Sequence, residues 1–347
     1  MSTTDGRARK RVTLADVAKA ASVSPAAASL AIRGEPGVST DTRERVVAAA
    51  RRLGYRGVSR TATRGRNHQT TVGLIIKSPQ GDAPEVNRFY APIMAGIEEM
   101  CRIREVDLLF AAMPVDSQYH PLEVPRLVTE RMCDGLIVVG AHLSHGTTLL
   151  LEEGPPAILV DAYAEDVDFD SVVSDNVGGA RAAVEHLIGA GHRDICLVGT
   201  TPDSFPSIVQ RRRGYEQAMS EARLRLHLAD APHVPAAPAA EAGIAYLHAH
   251  PEVSAVFCAN DAIAIELLEL ATRAGIAVPD RLSVVGYDDI DLARHVQPNL
   301  TTLAVDKLGM GRLAVTLLLQ RMEFPESAIT QAFLRPRLME RRSVRSR

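Results

Sequence analysis

The chain has 347 residues, 46% of them apolar and 23% charged, a balance that reads as soluble and globular but is too long for one ordinary core, so two or three compact units are expected. No run of about 20 apolar residues exists, which excludes a membrane-spanning helix, and the basic opening Arg7-Ala-Arg-Lys-Arg11 has no apolar stretch behind it, so the cytoplasm is expected rather than secretion. The formal net charge of −3 hides a division: residues 1–71 hold 14 Lys and Arg against five acids, +9, and the remainder carries −12, as if a polyanion-binding module were joined to a body that avoids polyanions.

Three short helices are predicted within Val12–Tyr55. Thr13 can cap the first, with Asp16 three residues on as an acidic partner, and Leu14, Val17, Ala18 and Ala21 recur at helical spacing. Ser22-Val-Ser24 reads as a tight turn, Ser24 as the next cap with Pro25 at the first helical position, and Ala26–Ile32 as the helix that Gly34 ends. Val38-Ser39 leads into a third helix, Thr40–Leu53, whose apolar stripe is Val46, Val47, Ala50 and Leu53. Two helices about a short turn with a third in support is the helix-turn-helix architecture.

Residues 56–71 are polar and basic, without Leu, Ile, Phe or Trp, and form a linker. Beyond it short apolar runs alternate with helical segments. The runs are Val72–Ile76, Val106–Ala111, Gly135–Val139, Ala157–Val160, Ser171–Val173, Asp194–Val198, Ala255–Cys258 and Leu282–Val285. The predicted helices are Ala91–Arg104, Val177–Ala190, Gln210–Ala222, Asp261–Ala274 and Leu308–Met322. Such alternation implies parallel sheets covered on both faces. The ligand of such sheets sits beyond the carboxyl ends of the strands, and a cleft between two lobes combines both sets of ends. Gly309-Met-Gly311-Arg-Leu-Ala314 fits a dinucleotide fingerprint superficially, but too little chain follows for the rest of that unit, and close helix packing is the preferred reading. The four cysteines, Cys101, Cys133, Cys196 and Cys258, form no CxxC pair and are expected to be buried thiols.

Together Val12-Thr-Leu-Ala-Asp-Val-Ala18, Ser22-Val-Ser24, Ser29, Val38-Ser39, Thr42-Arg-Glu44-Arg-Val46 and Leu53-Gly-Tyr55 resemble the DNA-binding headpiece of the LacI/GalR regulators. Asp175-Asn176, Gly191-His-Arg193, Arg211 with Gly214-Tyr215, Asn260-Asp261, Val284-Val-Gly-Tyr-Asp288-Asp289 and Pro298 with Leu300-Thr-Thr-Leu303 resemble the same family's effector-binding body, similar in fold to periplasmic sugar-binding proteins. The resemblance spans residues 12–341. It implies an all-α headpiece at 12–57, a hinge at 58–71 and a two-lobed α/β body. One lobe takes 72–174 and 305–333, the other 175–304 and 334–341.

The resemblance further implies a homodimer on a palindromic double-stranded operator. The DNA-facing residues are then Thr13, Leu14, Ser24, Pro25, Ala26, Ser29, Leu30, Arg33, Val38, Ser39, Thr42 and Tyr55. Where relatives carry base-reading polar side chains, this chain has Pro25, Ala26 and Leu30, which can touch a thymine methyl but read no donor–acceptor pattern; either the operator code is unusual or the helix turns these residues inward. Relatives wedge a hinge leucine into the minor groove. Arg64 stands at that place here, and a linker that tracks phosphates competes with a hinge helix. Arg211, Asn260 and Asp288 match effector-contacting positions, where an arginine fork, an amide and an acid suit a polyol; a plain ion pair of Arg211 with Asp288 is the alternative. Asp161 and Phe89 or Tyr90, near strand and helix ends in the first lobe, are added candidates. Asp175, Asn176, Asp261 and His192 read as caps and turns.

An enzyme is the first rival reading, but the chain shows no GxSxG, HExxH or Walker loop and no His/Cys ligand cluster, so neither cofactor nor metal is expected. A periplasmic ligand carrier fits the body and not the +9 headpiece.

Overall fold

The computed structural model describes residues 12–33, 37–53, 55, 70–79 and 88–347, divided between two units, Met1–Gln69 and Thr70–Arg347. The side chain of Arg33, the stop at Gly34 and the linker expectations, Arg64 included, lie outside the described residues.

The first unit holds α1 (Leu14–Ala20), α2 (Pro25–Arg33) and α3 (Thr40–Leu53). The capping box forms: the Thr13 hydroxyl accepts from the Asp16 N–H at 3.4 Å, and the Thr13 N–H donates to the Asp16 carboxylate at 2.8 Å. Ser22 takes a φ of 56°, which turns the chain into Ser24, whose hydroxyl accepts from the Ala27 N–H at 3.1 Å. Val17, Ala18, Ala28, Ala31, Ile32, Val46 and Ala50 make the small core, with Leu14, Val38, Leu53 and Tyr55 packed on its rim. Small residues allow three short helices to approach closely enough to share one core.

The second unit runs β1 (Thr71–Pro79), α4 (Tyr90–Ile103), β2 (Asp107–Val115), α5 (Arg126–Thr129), β3 (Gly135–Val139), β4 (His142–Leu143), α6 (His145–Glu152), β5 (Ala157–Val160), β6 (Tyr163–Ala164) and β7 (Asp170–Ser174). It continues with α7 (Asn176–Gly189), β8 (Ile195–Val198), α8 (Pro206–Glu221), β9 (His227–Ala229), α9 (Ala236–Ala249), β10 (Ala255–Cys258), α10 (Asp261–Arg273), β11 (Ser283–Asp288), β12 (Thr301–Ala304), α11 (Lys307–Glu323), β13 (Gln331–Leu334) and β14 (Arg337–Met339). Among the described residues two six-stranded sheets form, ordered β13-β7-β5-β3-β1-β2 and β14-β12-β11-β10-β8-β9. Every pairing is parallel except β12 with β14. The chain crosses between sheets after β7, after β12 and after β13.

Each sheet is buried on both faces because its strands carry apolar residues at both parities. In β3, Ile137 and Val139 enter the layer holding Ile93 and Ile97 of α4 and Met310 and Ala314 of α11. Leu136 and Val138 enter the opposite layer with Leu127, Val128 and Leu151. In β8 the same alternation sends Ile195 and Leu197 toward Val184 and Tyr215, and Cys196 and Val198 toward Ala239 and Ile263. All four cysteines are buried thiols.

Several expected boundaries move. α8 begins at Pro206 rather than Gln210, with the proline at the first helical position, where its missing N–H costs nothing. β2 runs on to Val115 and β11 to Asp288, so Asp288 ends a strand. Helix α9 was not expected: its sequence, AAPAAEAGIAYLHA, is too rich in small residues to show an apolar stripe, and Pro238 falls in its first turn, where proline is tolerated. Asp261 does not cap α10. Asn260 does, its side-chain oxygen accepting from the Ile263 N–H at 2.9 Å.

Candidate functional site

In the headpiece, α2 turns Ala28, Ala31 and Ile32 into the core and leaves Ser24, Pro25 and Ala26 exposed, with Ser29 and Leu30 half-buried. Pro25 and Ala26 thus lie outward. Thr13 and Ser39 are exposed; Leu14, Val38, Thr42 and Tyr55 are half-buried. Ser39 and Thr42 cap α3 together: the Ser39 hydroxyl accepts from the Thr42 N–H at 3.2 Å and donates to the Thr42 hydroxyl at 2.9 Å.

In the body the six effector candidates stand where parallel strands end or the following helices begin, the region that parallel sheets leave open for ligands. Arg211, on α8, is 3% exposed. Its guanidinium donates to the Asn176 side-chain oxygen at 3.1 Å, the Ala259 carbonyl at 2.6 Å and the Asp288 carboxylate at 3.0 Å. It stacks 3.8 Å above the Tyr287 ring centroid. Burial is the largest single influence and lowers its pKa, but Asp288, Tyr287 and Asp161 together outweigh it and the net shift is upward. Asp288 follows with a φ of 112° and Asp289 with 48°, strained backbone of the kind found at functional sites. Lys307 donates to the Asp288 and Asp289 carbonyls, and Asp289 is tied to Arg294 at 3.2 Å and Arg341 at 2.6 Å.

Across from these groups, Asp161 leaves β5 with a φ of 42°. The Tyr90 hydroxyl donates to its carboxylate at 2.9 Å, and Phe89 meets Tyr90 edge to face at 5.1 Å. Burial pushes the Asp161 carboxyl up to about 6, against the opposing pull of Lys77, Tyr90 and Arg211. Asn260 spends its oxygen on the α10 cap and donates its NH₂ to the His233 carbonyl at 3.4 Å. Both its polarities are engaged within the protein.

Sequence reasoning missed five side chains here. Lys77, at the end of β1, sits 3.8 Å from the Tyr119 ring centroid, 4.5 Å from that of Phe205 and 4.9 Å from that of Tyr90. Burial brings its ammonium down to about 8 while Asp161 raises it. The Tyr119 hydroxyl bonds His233 at 3.2 Å, and burial with Lys77 and Arg211 drives that imidazole down to about 3, hence neutral. The buried Tyr163 hydroxyl has no hydrogen-bond partner among the described residues, a polar group left for something else to satisfy. Lys77 had one available signal, a lysine at the carboxyl end of the first parallel strand. Tyr119, Phe205, His233 and Tyr163 come from irregular or very short segments and had none.

Beneath Asp288 lies Asp261, fully buried. It accepts from the Ile290 N–H at 2.9 Å and the Thr302 hydroxyl at 2.5 Å. Burial pushes its carboxyl up to about 8, Asp288 adding to the shift and the two hydrogen bonds opposing it. The unfolded chain releases this proton near 3.8 and the folded chain much later. Its contribution to stability is therefore full below about pH 4 and lost as pH rises through about 8. Asp261→Asn should accordingly gain stability relative to the unsubstituted chain between about pH 5 and pH 9 in urea unfolding. A difference that stays flat would show that Asp261 is ionised throughout.

Comparison with known proteins agrees with this geometry. Residues 13–57 match the family described as bacterial regulatory proteins, lacI family, and residues 184–344 match a periplasmic binding protein-like domain. The chain is 30% identical over 341 residues to the ribose operon repressor of Haemophilus influenzae, covering 96% of this chain and 99% of that protein. Among solved structures it resembles a transcriptional regulator CelR–cellobiose complex, with a TM-score of 0.65, 28% identity and coverage of 96% and 100% of the two chains. It also resembles a LacI family transcriptional regulator from Enterococcus faecium with bound ribose, with a TM-score of 0.66, 26% identity and coverage of 80% and 99%. A helix-turn-helix unit followed by a two-lobed body along nearly the whole length of such a relative identifies the chain as a member of the lacI family, a DNA-binding transcriptional regulator and not an enzyme.

Proposed function

We propose that this chain represses transcription in the cytoplasm by binding a palindromic operator as a homodimer, and that a small polyhydroxylated molecule, foremost a pentose sugar, binds between its lobes and controls that grip. The carrying observation is the pair of Arg211, on α8, and Asp288, at the end of β11, in one lobe, electrostatically coupled to Asp161 of the other. A guanidinium and two carboxylates recognise adjacent hydroxyls, and Phe89, Tyr119 and Phe205 offer faces for the apolar side of a sugar ring. One relative is a ribose operon repressor and another was solved with bound ribose, and both favour the same ligand class.

The test is a thermal-shift screen of ribose, other pentoses, cellobiose and nucleosides against the full chain. A ligand that binds only the folded state at about 100 times its Kd adds roughly 2.7 kcal/mol. Stabilisation by a pentose or pentose-bearing compound is expected; a chain that ignores all polyols and responds to an apolar ligand would overturn the assignment. On the DNA side, the contacts come from Ser24, Pro25, Ala26, Ser29 and neighbouring headpiece residues, with Arg64 from the linker. Operator affinity should fall steeply with salt, by a slope of about −0.9 for each phosphate neutralised. A nearly salt-independent affinity would remove the DNA role.

A further inference from the structure

Three side chains with no part in the effector reading converge in the first lobe. The turn after β2 presents His120, β4 presents His142, and the residue after β6 is Glu165. One potential ligand atom from each lies within 4.8 Å of the other two. The Glu165 carboxylate is 3.8 Å from His120 Nε2 and 4.0 Å from His142 Nε2, and the two imidazole rings are 4.8 Å apart, tilted by 31°. His120 Nε2 is buried and has no hydrogen-bond partner among the described residues.

We propose that His120, His142 and Glu165 bind a divalent transition-metal cation of the zinc class. Two imidazoles and one carboxylate are a borderline-soft donor set that zinc accepts with a fourth position open to water. Tetrahedral ligation at about 2.1 Å sets donor atoms about 3.4 Å apart, so the Glu165 separations of 3.8 and 4.0 Å need to close by roughly half an ångström and the two histidine ligand atoms, within 4.8 Å of each other, by at most about 1.4 Å. The orphaned nitrogen then gains the partner it lacks.

The surroundings are built to hold the ligands in place. Asp116 Oδ1 accepts from the Gln118 N–H at 2.8 Å and the His120 N–H at 2.9 Å, which closes the turn that presents His120. Asp116 Oδ2 lies 3.6 Å from His120 Nδ1; a carboxylate on the far nitrogen orients the imidazole so that Nε2 faces the metal. The His142 N–H donates to the Tyr119 carbonyl at 3.0 Å, and β4 pairs with β6 in register His142 with Tyr163. Glu165 is half exposed, which leaves a path for the ion.

A second cluster, His227, His250 and Glu252, lacks this property. Both His227 nitrogens are engaged, one with Tyr246 and one with Asp194, each at 3.2 Å. The proposed site also adjoins the cleft: Tyr119 and Tyr163, neighbours of His120 and Glu165 in the chain, meet the Phe205 ring at 5.1 and 5.5 Å. A bound cation would tie together the segments that carry these two tyrosines.

Tag-free full-length protein, stripped with chelator, should be titrated with Zn²⁺ by calorimetry and with Co²⁺ by visible absorption. One ion per chain and the intense absorption of a tetrahedral Co²⁺ site are expected. His142→Ala should weaken binding by at least about 100-fold and Asp116→Asn by about 10-fold. Glu165→Gln, a near-isosteric change at an exposed side chain, probes the same site without disturbing packing and should also lower affinity. His250→Ala should change nothing. Wild-type affinity in both His142→Ala and Glu165→Gln, loss of the ion in His250→Ala, or no Co²⁺ signal would each overturn the proposal.

Discussion

Arg211→Ala is expected to destabilise the body by about 3–5 kcal/mol and to abolish the response to effector. The substitution leaves Asp288, 8% exposed, as an unpaired carboxylate, and strips donors from the Ala259 carbonyl and the Asn176 side chain. Uncompensated buried charge accounts for most of the cost. The sequence alone left an effector contact and a plain ion pair with Asp288 as alternatives at this position. The four-way anchoring shows that the same arginine also joins α7, α8, the residue after β10 and β11. Arg211→Lys keeps the charge but not the planar fork, and should recover part of the stability while ligand response stays lost. Asp288→Asn is the milder partner change, because asparagine also tolerates a positive φ. Urea unfolding followed by circular dichroism gives the stability, and the thermal shift on adding the ligand that stabilises the unsubstituted chain gives the response. An Arg211→Ala protein with a full ligand shift would show that the guanidinium serves only as a structural tie.

Gly311→Ala should destabilise the first lobe by about 1–3 kcal/mol, although a glycine-to-alanine change inside a helix ordinarily stabilises by roughly 0.5–1 kcal/mol. A Cβ at Gly311 would lie 2.1 Å from the Ile93 carbonyl oxygen and 2.8 Å from the Ile97 nitrogen. One at Gly96 would lie 2.2 Å from the Leu308 carbonyl oxygen. Both clashes are with backbone, so no side chain can swing aside; α4 and α11 must separate. Each helix therefore opposes a glycine to the other's main chain. The double variant Gly96→Ala/Gly311→Ala should cost less than the sum of the two, because one separation relieves both clashes. Gly189→Ala, at the end of α7 with nothing near its missing Cβ, is the control and should be neutral or slightly stabilising. A stable Gly311→Ala protein would mean that the helix pair is loosely packed.

The same glycine shows how a local motif is read in context. Gly309-Met-Gly311-Arg-Leu-Ala314 has the spacing of a phosphate-binding turn, yet Gly309 lies in the first turn of α11, its N–H bonded to the Asp306 cap at 2.9 Å, and Gly311 faces α4. The glycines serve helix capping and helix contact. Likewise Asn260 and Asp261 are adjacent in sequence and opposite in role, one capping α10 and the other buried under β11 and β12.

What the sequence determined by itself is local. The capping box at Thr13, the turn at Ser22, Pro25 at a helix start and the apolar runs of β3, β5 and β10 follow from interactions within a few residues, so they are visible without the fold. The placement of Arg211 and Asp288 was legible only through resemblance, since 77 positions separate them. Tertiary structure alone decided the rest. Lys77 meets Tyr119, Phe205 and Tyr90 because three separate segments end at one cleft, and His120, His142 and Glu165 converge because two very short strands pair beside a turn. No periodicity marks such groups: a site is selected for the distances between its side chains, and those distances are set by sheet order and helix packing rather than by spacing along the chain.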